Sequence, residues 1–179
     1  AVLNASIEII KKEKPTFMVV HFSKVDEYGH LYGGVSSQYI KAIEDTDSLI
    51  GQLISAVKDA GIYNETLIVL FSDHGHIARG GHGGSEKEAR RILLAFYGPR
   101  VREGVVISEP VYQDSITPTI CYFLGVRLPS ITTGTVLYEV FENDTQRMAL
   151  YELCLAKVKY NMLLWLSEEL NIGTLEMPE

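Results

Sequence analysis

The chain has too few cysteines for a disulfide framework, no run of basic residues and no long uninterrupted apolar stretch. Its two cysteines, Cys121 and Cys154, both fall in helix-like surroundings and cannot staple a small scaffold. A net charge of −7, from 16 Lys and Arg against 23 Asp and Glu, speaks against a nucleic-acid surface. The most apolar stretch, 149–166, is interrupted by Glu152, Lys157 and Lys159, so no transmembrane segment is expected. No signal-peptide pattern is visible. The chain opens at Ala1 and enters a helical pattern at once, which suggests the interior of a longer protein. Three Asn-x-Ser/Thr triplets, at Asn4, Asn64 and Asn143, are of a kind that arises often by chance and carry little weight.

What is present suffices for a core. The 179 residues, 46% hydrophobic and 22% charged, fit one domain or a domain with an appendage. Ile7, Ile9 and Ile10 ahead of Lys11, Lys12 and Lys14 predict a short helix stopped by Pro15. Thr16 to Phe22 is a continuous apolar, β-branched run and reads as a strand covered on both faces. Ser36 or Ser37 caps a helix running to about Ala60, with Ile43, Ile50, Leu53, Ile54 and Val57 at helical spacing and Gly61 as its stop. Leu67 to Phe71 and Ile92 to Tyr97 read as further strands, and Val105 to Ile107 as a short extra one. Gln113 to Leu124 reads as a helix with Pro118 in its first turn or at a kink, and Thr145 to Leu170 as one long helix. A long helix between the first two strands calls for a parallel connection. The expected fold class is therefore α/β: a parallel-rich sheet flanked by helices, with a C-terminal helical tail.

Metal-donor side chains then fall at the ends of the expected strands. Asp26 and His30 follow the first and Asp73 and His74 the second, while His82 sits in the glycine-rich loop beyond. Sites in open α/β sheets lie past the carboxyl ends of strands, so five donors are delivered to one edge. Oxygen and imidazole donors suit zinc or a similar divalent ion, which offsets charge in phosphate or sulfate ester chemistry. The bland readings differ by residue. His21 reads as a hydrogen-bonded core histidine, and His76 as an outer partner or a plainly exposed ring. Arg79 either touches an anionic substrate or is a solvated loop charge; Asp47 reads as a buried structural partner and Asp45 as exposed.

The ordered set Asp26-x-x-Gly29-His30, Ser36-x-x-Tyr39, Ser72-Asp73-His74-Gly75 and His82-Gly83 resembles the alkaline phosphatase superfamily. Within it, the type I phosphodiesterase/nucleotide pyrophosphatase branch and the sulfatase-like and ethanolamine-phosphate transferases are the most similar in style. The resemblance continues through 94–99, 112–120 and 124–129 to Gly134, covering roughly 15–137. It implies that 1–137 is the C-terminal half of an alkaline phosphatase-like metallohydrolase domain and that 138–179 is a helical tail. It further implies two divalent ions, zinc first and manganese second, with Asp26, His30 and His82 on one and Asp73 and His74 on the other. Arg79 would contact substrate, a small-molecule phosphate or sulfate ester. The Thr or Ser nucleophile and a further Asp ligand belong to an earlier segment in the family and are expected upstream of Ala1. The parent protein is thus expected to hydrolyse phosphate esters, and the isolated chain to be inactive. Two other readings stay open: an isomerase resembling cofactor-independent phosphoglycerate mutases, and a metal-binding non-catalytic module. The apolar stripe of the last helix offers a face for a homo-oligomer contact.

Overall fold

Helix α1 (Val2–Glu13) places Lys11 and Lys12 in its last turn, where they complement the negative end of the helix dipole. It ends on Lys14 in a left-handed conformation, φ 45°, and Pro15 cannot continue it. Helix α2 (Lys24–Tyr32) stops at Gly33, φ 88°, whose N–H returns to the Gly29 carbonyl. Helix α3 (Ser37–Asp59) is capped by Ser36, whose Oγ accepts the Tyr39 N–H at 3.1 Å, and is followed by Gly61. Strands β1 (Ile68–Phe71) and β2 (Leu94–Tyr97) pair in antiparallel register, Ile68 opposite Tyr97 and Phe71 opposite Leu94. A single turn, α4 (Lys87–Arg90), lies in the connection between them. Helices α5 (Ile116–Leu124) and α6 (Thr145–Glu169) follow.

The computed structural model describes residues 1–170. They form two compact units, Ala1 to Pro99 and from Arg100 onward. The first is built on α1, α2 and α3: Ile10, Ala56 and Val57 form its buried centre, with Ile7, Met18, Leu53, Ile62 and Tyr63 packed around it. In the second, Tyr122 is buried on α5 and meets the rings of Tyr138, Phe141 and Tyr151 at 5.1–5.5 Å. Arg147 of α6 donates to the Tyr122 and Phe123 carbonyls at the end of α5, and the Tyr151 hydroxyl lies 2.7 Å from the Cys121 carbonyl. The division expected after residue 137 falls inside this second unit, and 171–179 of the expected tail lie outside the described residues. Among the described residues no helix is long and apolar enough to cross a membrane.

Several expectations are corrected. The sheet among the described residues is two-stranded and antiparallel rather than parallel-rich, because the 72–93 connection turns the chain back beside β1. Residues 16–22 form no strand. Met18 packs against the Ile10, Ala56 and Val57 core, while Phe17 and Val19 stay 62% and 71% exposed. His21 in this run is exposed rather than buried, and Val105 to Ile107 form no strand. The roles of two acids are reversed: Asp45 accepts from Lys24 at 2.6 Å and lies 3.1 Å from Lys41, while Asp47 is exposed. Pro118 does sit in the first turn of its helix, where no intrahelical bond is lost.

Thr119 tests how the second unit is tied together. Its buried hydroxyl donates to the Ser115 carbonyl at 2.6 Å and accepts the Leu137 N–H at 3.0 Å. Thr119→Val keeps the shape and strands the Leu137 N–H, so urea denaturation is expected to show a loss of about 1–3 kcal/mol. An unchanged midpoint would show that these bonds contribute nothing net.

Candidate metal centre

Asp26 and His30 stand four residues apart on α2, so one face of the helix carries both. The sequence had suggested a loop here; the helix makes their relative position much more definite. Lys24 anchors this helix to α3 through Asp45, and the bond raises the pKa of the Lys24 ammonium while lowering that of the Asp45 carboxyl. Asp73 and His74 leave the end of β1, just past the Ser72 N–H to Leu93 carbonyl bond. The following loop is held from inside by Ile77 N–H to the Gly81 carbonyl and by Gly80 N–H to the Ile77 carbonyl. Gly75 N–H bonds the Ala89 carbonyl, and Gly34 N–H bonds the Ile77 carbonyl at 3.0 Å, tying the loop to the exit of α2.

These supports bring Asp26, His30, His74 and His82 together, and Asp73 adjoins the group through its neighbour His74. Asp26 Oδ1 lies 3.5 Å from His30 Nε2 and 3.5 Å from His82 Nε2, and the two nitrogens are 3.1 Å apart. Four-coordinate zinc with bonds of about 2.0–2.2 Å separates its ligand atoms by about 3.3–3.5 Å, so this triangle has the size of one tetrahedral face. His74 Nε2 lies 3.8 Å from the same Asp26 oxygen and 3.6 Å from Asp73 Oδ2. The His74 and His82 rings stack at 3.5 Å. Arg79 is exposed on the loop, with no contact to this group shown. The donor set is oxygen and imidazole only; both cysteines belong to the second unit. It therefore fits a divalent ion of the zinc or manganese kind.

Two electrostatic details prepare the donors. Burial pushes the Asp26 carboxyl up, but the hydrogen bond from His76 and the charges of His30, His76 and His74 outweigh it, leaving the pKa below the usual carboxylate range. His74 Nδ1 lies 3.2 Å from the Gly75 carbonyl, which can only accept, so the proton sits on Nδ1 and the Nε2 lone pair faces the cluster. Tyr39, packed near the site, has its hydroxyl pKa raised by burial and by Asp26.

His76, read from the sequence as an outer partner or an exposed ring, is not exposed. His76 is buried, its side chain 2% exposed, and its Nε2 is 2.8 Å from Asp26 Oδ1. The signal for it was a glycine inside a helix. A Cβ on Gly29 would come within 2.5 Å of the His76 ring, so the glycine of Asp-x-x-Gly-His makes room for that imidazole.

The description of the type I phosphodiesterase/nucleotide pyrophosphatase family matches residues 2–79. The catalytic subunit of GPI ethanolamine phosphate transferase 3 from Mus musculus is 31% identical over 144 residues, covering 79% of this chain and 13% of that protein. GPI ethanolamine phosphate transferase 2 from Schizosaccharomyces pombe is 30% identical over 163 residues, covering 78% of this chain and 22% of that protein. Ectonucleotide pyrophosphatase/phosphodiesterase family member 1 from Homo sapiens is 35% identical over 69 residues, 38% of this chain and 8% of that protein. The chain thus spans less than a quarter of the length of these relatives. No solved structure matches it.

Gly29 and Gly51 form a matched pair of helical glycines. A Cβ at Gly51 meets nothing within 4 Å, whereas one at Gly29 meets His76. Gly51→Ala is expected to stabilise the chain by about 0.5–1 kcal/mol through helix propensity. Gly29→Ala is expected to destabilise it by about 1–3 kcal/mol through overpacking. Stabilisation by both in thermal or urea unfolding would remove the close contact from consideration.

Proposed function

On the premise that this chain belongs to the alkaline phosphatase superfamily, we propose that it carries the metal-binding part of an enzyme that transfers or hydrolyses phosphate esters. The observation that supports this most directly is the triangle of Asp26, His30 and His82 donors, 3.1–3.5 Å on a side, with Asp73 and His74 beside it. In this reading Asp26, His30 and His82 hold one divalent ion, and Asp73 and His74 contribute to a second, with zinc first and manganese next. Ions bound there supply positive charge that offsets the charge of a transferring phosphoryl group. The chain's own part is orientation. Its helix and loops hold the three donors close together, the Asp26 carboxyl pKa lies below the usual carboxylate range despite its burial, and His74 points a lone pair inward because its other nitrogen is engaged. Arg79, exposed on the loop between His74 and His82, is the side chain proposed to meet an anionic substrate.

The substrate class follows from the comparisons only in outline. Matches to the two ethanolamine phosphate transferases extend over 78–79% of this chain, against 38% for the ectonucleotide pyrophosphatase. This favours a parent protein that transfers ethanolamine phosphate over a nucleotide pyrophosphatase; hydrolysis of phosphodiesters remains the second reading.

Zinc titrated calorimetrically into the chain is expected to bind, and His82→Ala or Asp26→Ala to weaken binding beyond the roughly 10–100-fold typical of losing an outer hydrogen-bond partner. In the parent protein, transfer or hydrolysis of an ethanolamine phosphodiester is expected to disappear with chelator and to fall with the same substitutions. Turnover indifferent to chelator would overturn the reading.

A further inference from the structure

His74 and His76 are two residues apart, yet their hydrogen bonds fix opposite tautomers. His74 gives its Nδ1 proton to a carbonyl and so presents Nε2 as an acceptor. His76 Nδ1 instead receives the Gly81 backbone N–H at 3.2 Å. A backbone N–H can only donate, so that nitrogen carries no proton, and the ring proton lies on Nε2, directed at Asp26 Oδ1 2.8 Å away. Proximity alone would admit His76 as a ligand, since one donor atom from each of Asp26, His74, His76 and His82 lies within 4.8 Å of the others. Its hydrogen bonds exclude that. One ring nitrogen is engaged by backbone and the other is a donor, so no lone pair is left for an ion. The 2.8 Å separation is also a hydrogen-bond length, shorter than the 3.5 Å that Asp26 keeps from His30 and from His82.

We infer that His76 is a positioning residue: its Nε2–H holds the Asp26 carboxylate in the orientation that metal binding needs, and it is not a metal ligand. This rests on the metal reading proposed above. The ring is itself held on several sides. Gly29 lets it lie against α2, the Tyr39 ring meets it edge-on at 5.6 Å, and the Gly81 N–H fixes its rotation. With Oδ1 taking the His76 proton, the remaining lone pairs of the carboxylate are those open to an ion. An outer partner of this kind fixes both the geometry and the basicity of a ligand.

Two measurements on the whole chain test this. Long-range proton–nitrogen NMR of the imidazoles is expected to show His76 protonated at Nε2 and bare at Nδ1, without and with metal. With cadmium in place of zinc, scalar coupling to the metal is expected at His30, His82 and His74 and absent at His76; coupling at His76 would make it a ligand and overturn the proposal. His76→Gln, which keeps an N–H donor within reach of Asp26, is expected to stay within about threefold of the unmodified chain in zinc affinity. His76→Phe, which fills the space without a donor, is expected to lose roughly 10–100-fold. Full affinity in the Phe variant would reduce His76 to a space filler, and equal losses in both variants would again make it a ligand. Circular dichroism of each variant separates these outcomes from misfolding. If the unmodified chain binds no zinc, the metal reading falls; the tautomer measured on the metal-free chain then decides whether His76 still orients Asp26.

Discussion

The hydrogen bond between His76 and Asp26 is the constraint around which the first unit is arranged. A single carboxylate oxygen stands within 3.8 Å of four imidazole nitrogens, and only one of these contacts is a true hydrogen bond. That bond requires a buried ring beneath α2, and the buried ring requires a residue without a side chain directly above it. The loop carrying the ring must then close tightly against the helix, as it does through Gly34 and Ile77. Each step is steric or is a matter of donors and acceptors, and none needs a bound ion to enforce it.

The donors ride on elements of different kinds, and this bears on which ones define the site. Asp26 and His30 ride on a helix packed along α3 and pinned by the Lys24–Asp45 pair. His74 sits two residues beyond Ser72, whose N–H makes the last bond beside the short sheet, and His82 comes from a loop rich in glycine. The helix thus supplies the fixed reference, while the loop supplies the donor that completes it. His82 reaches the reference because the backbone bonds at Ile77, Gly80 and Gly81 fold the loop back on itself.

Much of this was legible in the sequence. Helix periodicity with a serine cap and a terminal glycine placed α3 almost to the residue, and the long last helix was equally plain. The five donors were visible as residue types in a particular order, because metal chemistry draws on so few side chains. What sequence could not supply was pairing. Thr16 to Phe22 has the composition of a buried strand, but a strand exists only through a neighbour's hydrogen bonds, and here Met18 packs on the helical core instead. The same limit left two readings of His76 open. A histidine two places from a donor reads equally well as exposed or buried, and only the clearance above Gly29 and the direction of the Gly81 N–H distinguish the two. The parallel sheet was an inference built on that first strand and did not survive its loss.

In the proposed reading an acidic chain meets an anionic ester and has to create its positive charge locally, and the means is coupled to folding. The donors come from α2, from the end of β1 and from the loop behind it, so no short piece of the unfolded chain holds them together. Any ion that binds the folded arrangement and not the unfolded chain stabilises the unit, by about 2.7 kcal/mol at a free concentration one hundred times the dissociation constant. The core beneath is modest, centred on Ile10, Ala56 and Val57, so a contribution of that size is a substantial part of what a small unit can have. The centre and the fold that presents it are in this sense one thermodynamic unit. Affinity for the ion and stability of the first 99 residues should rise and fall together, through the same carboxylate and the same buried ring.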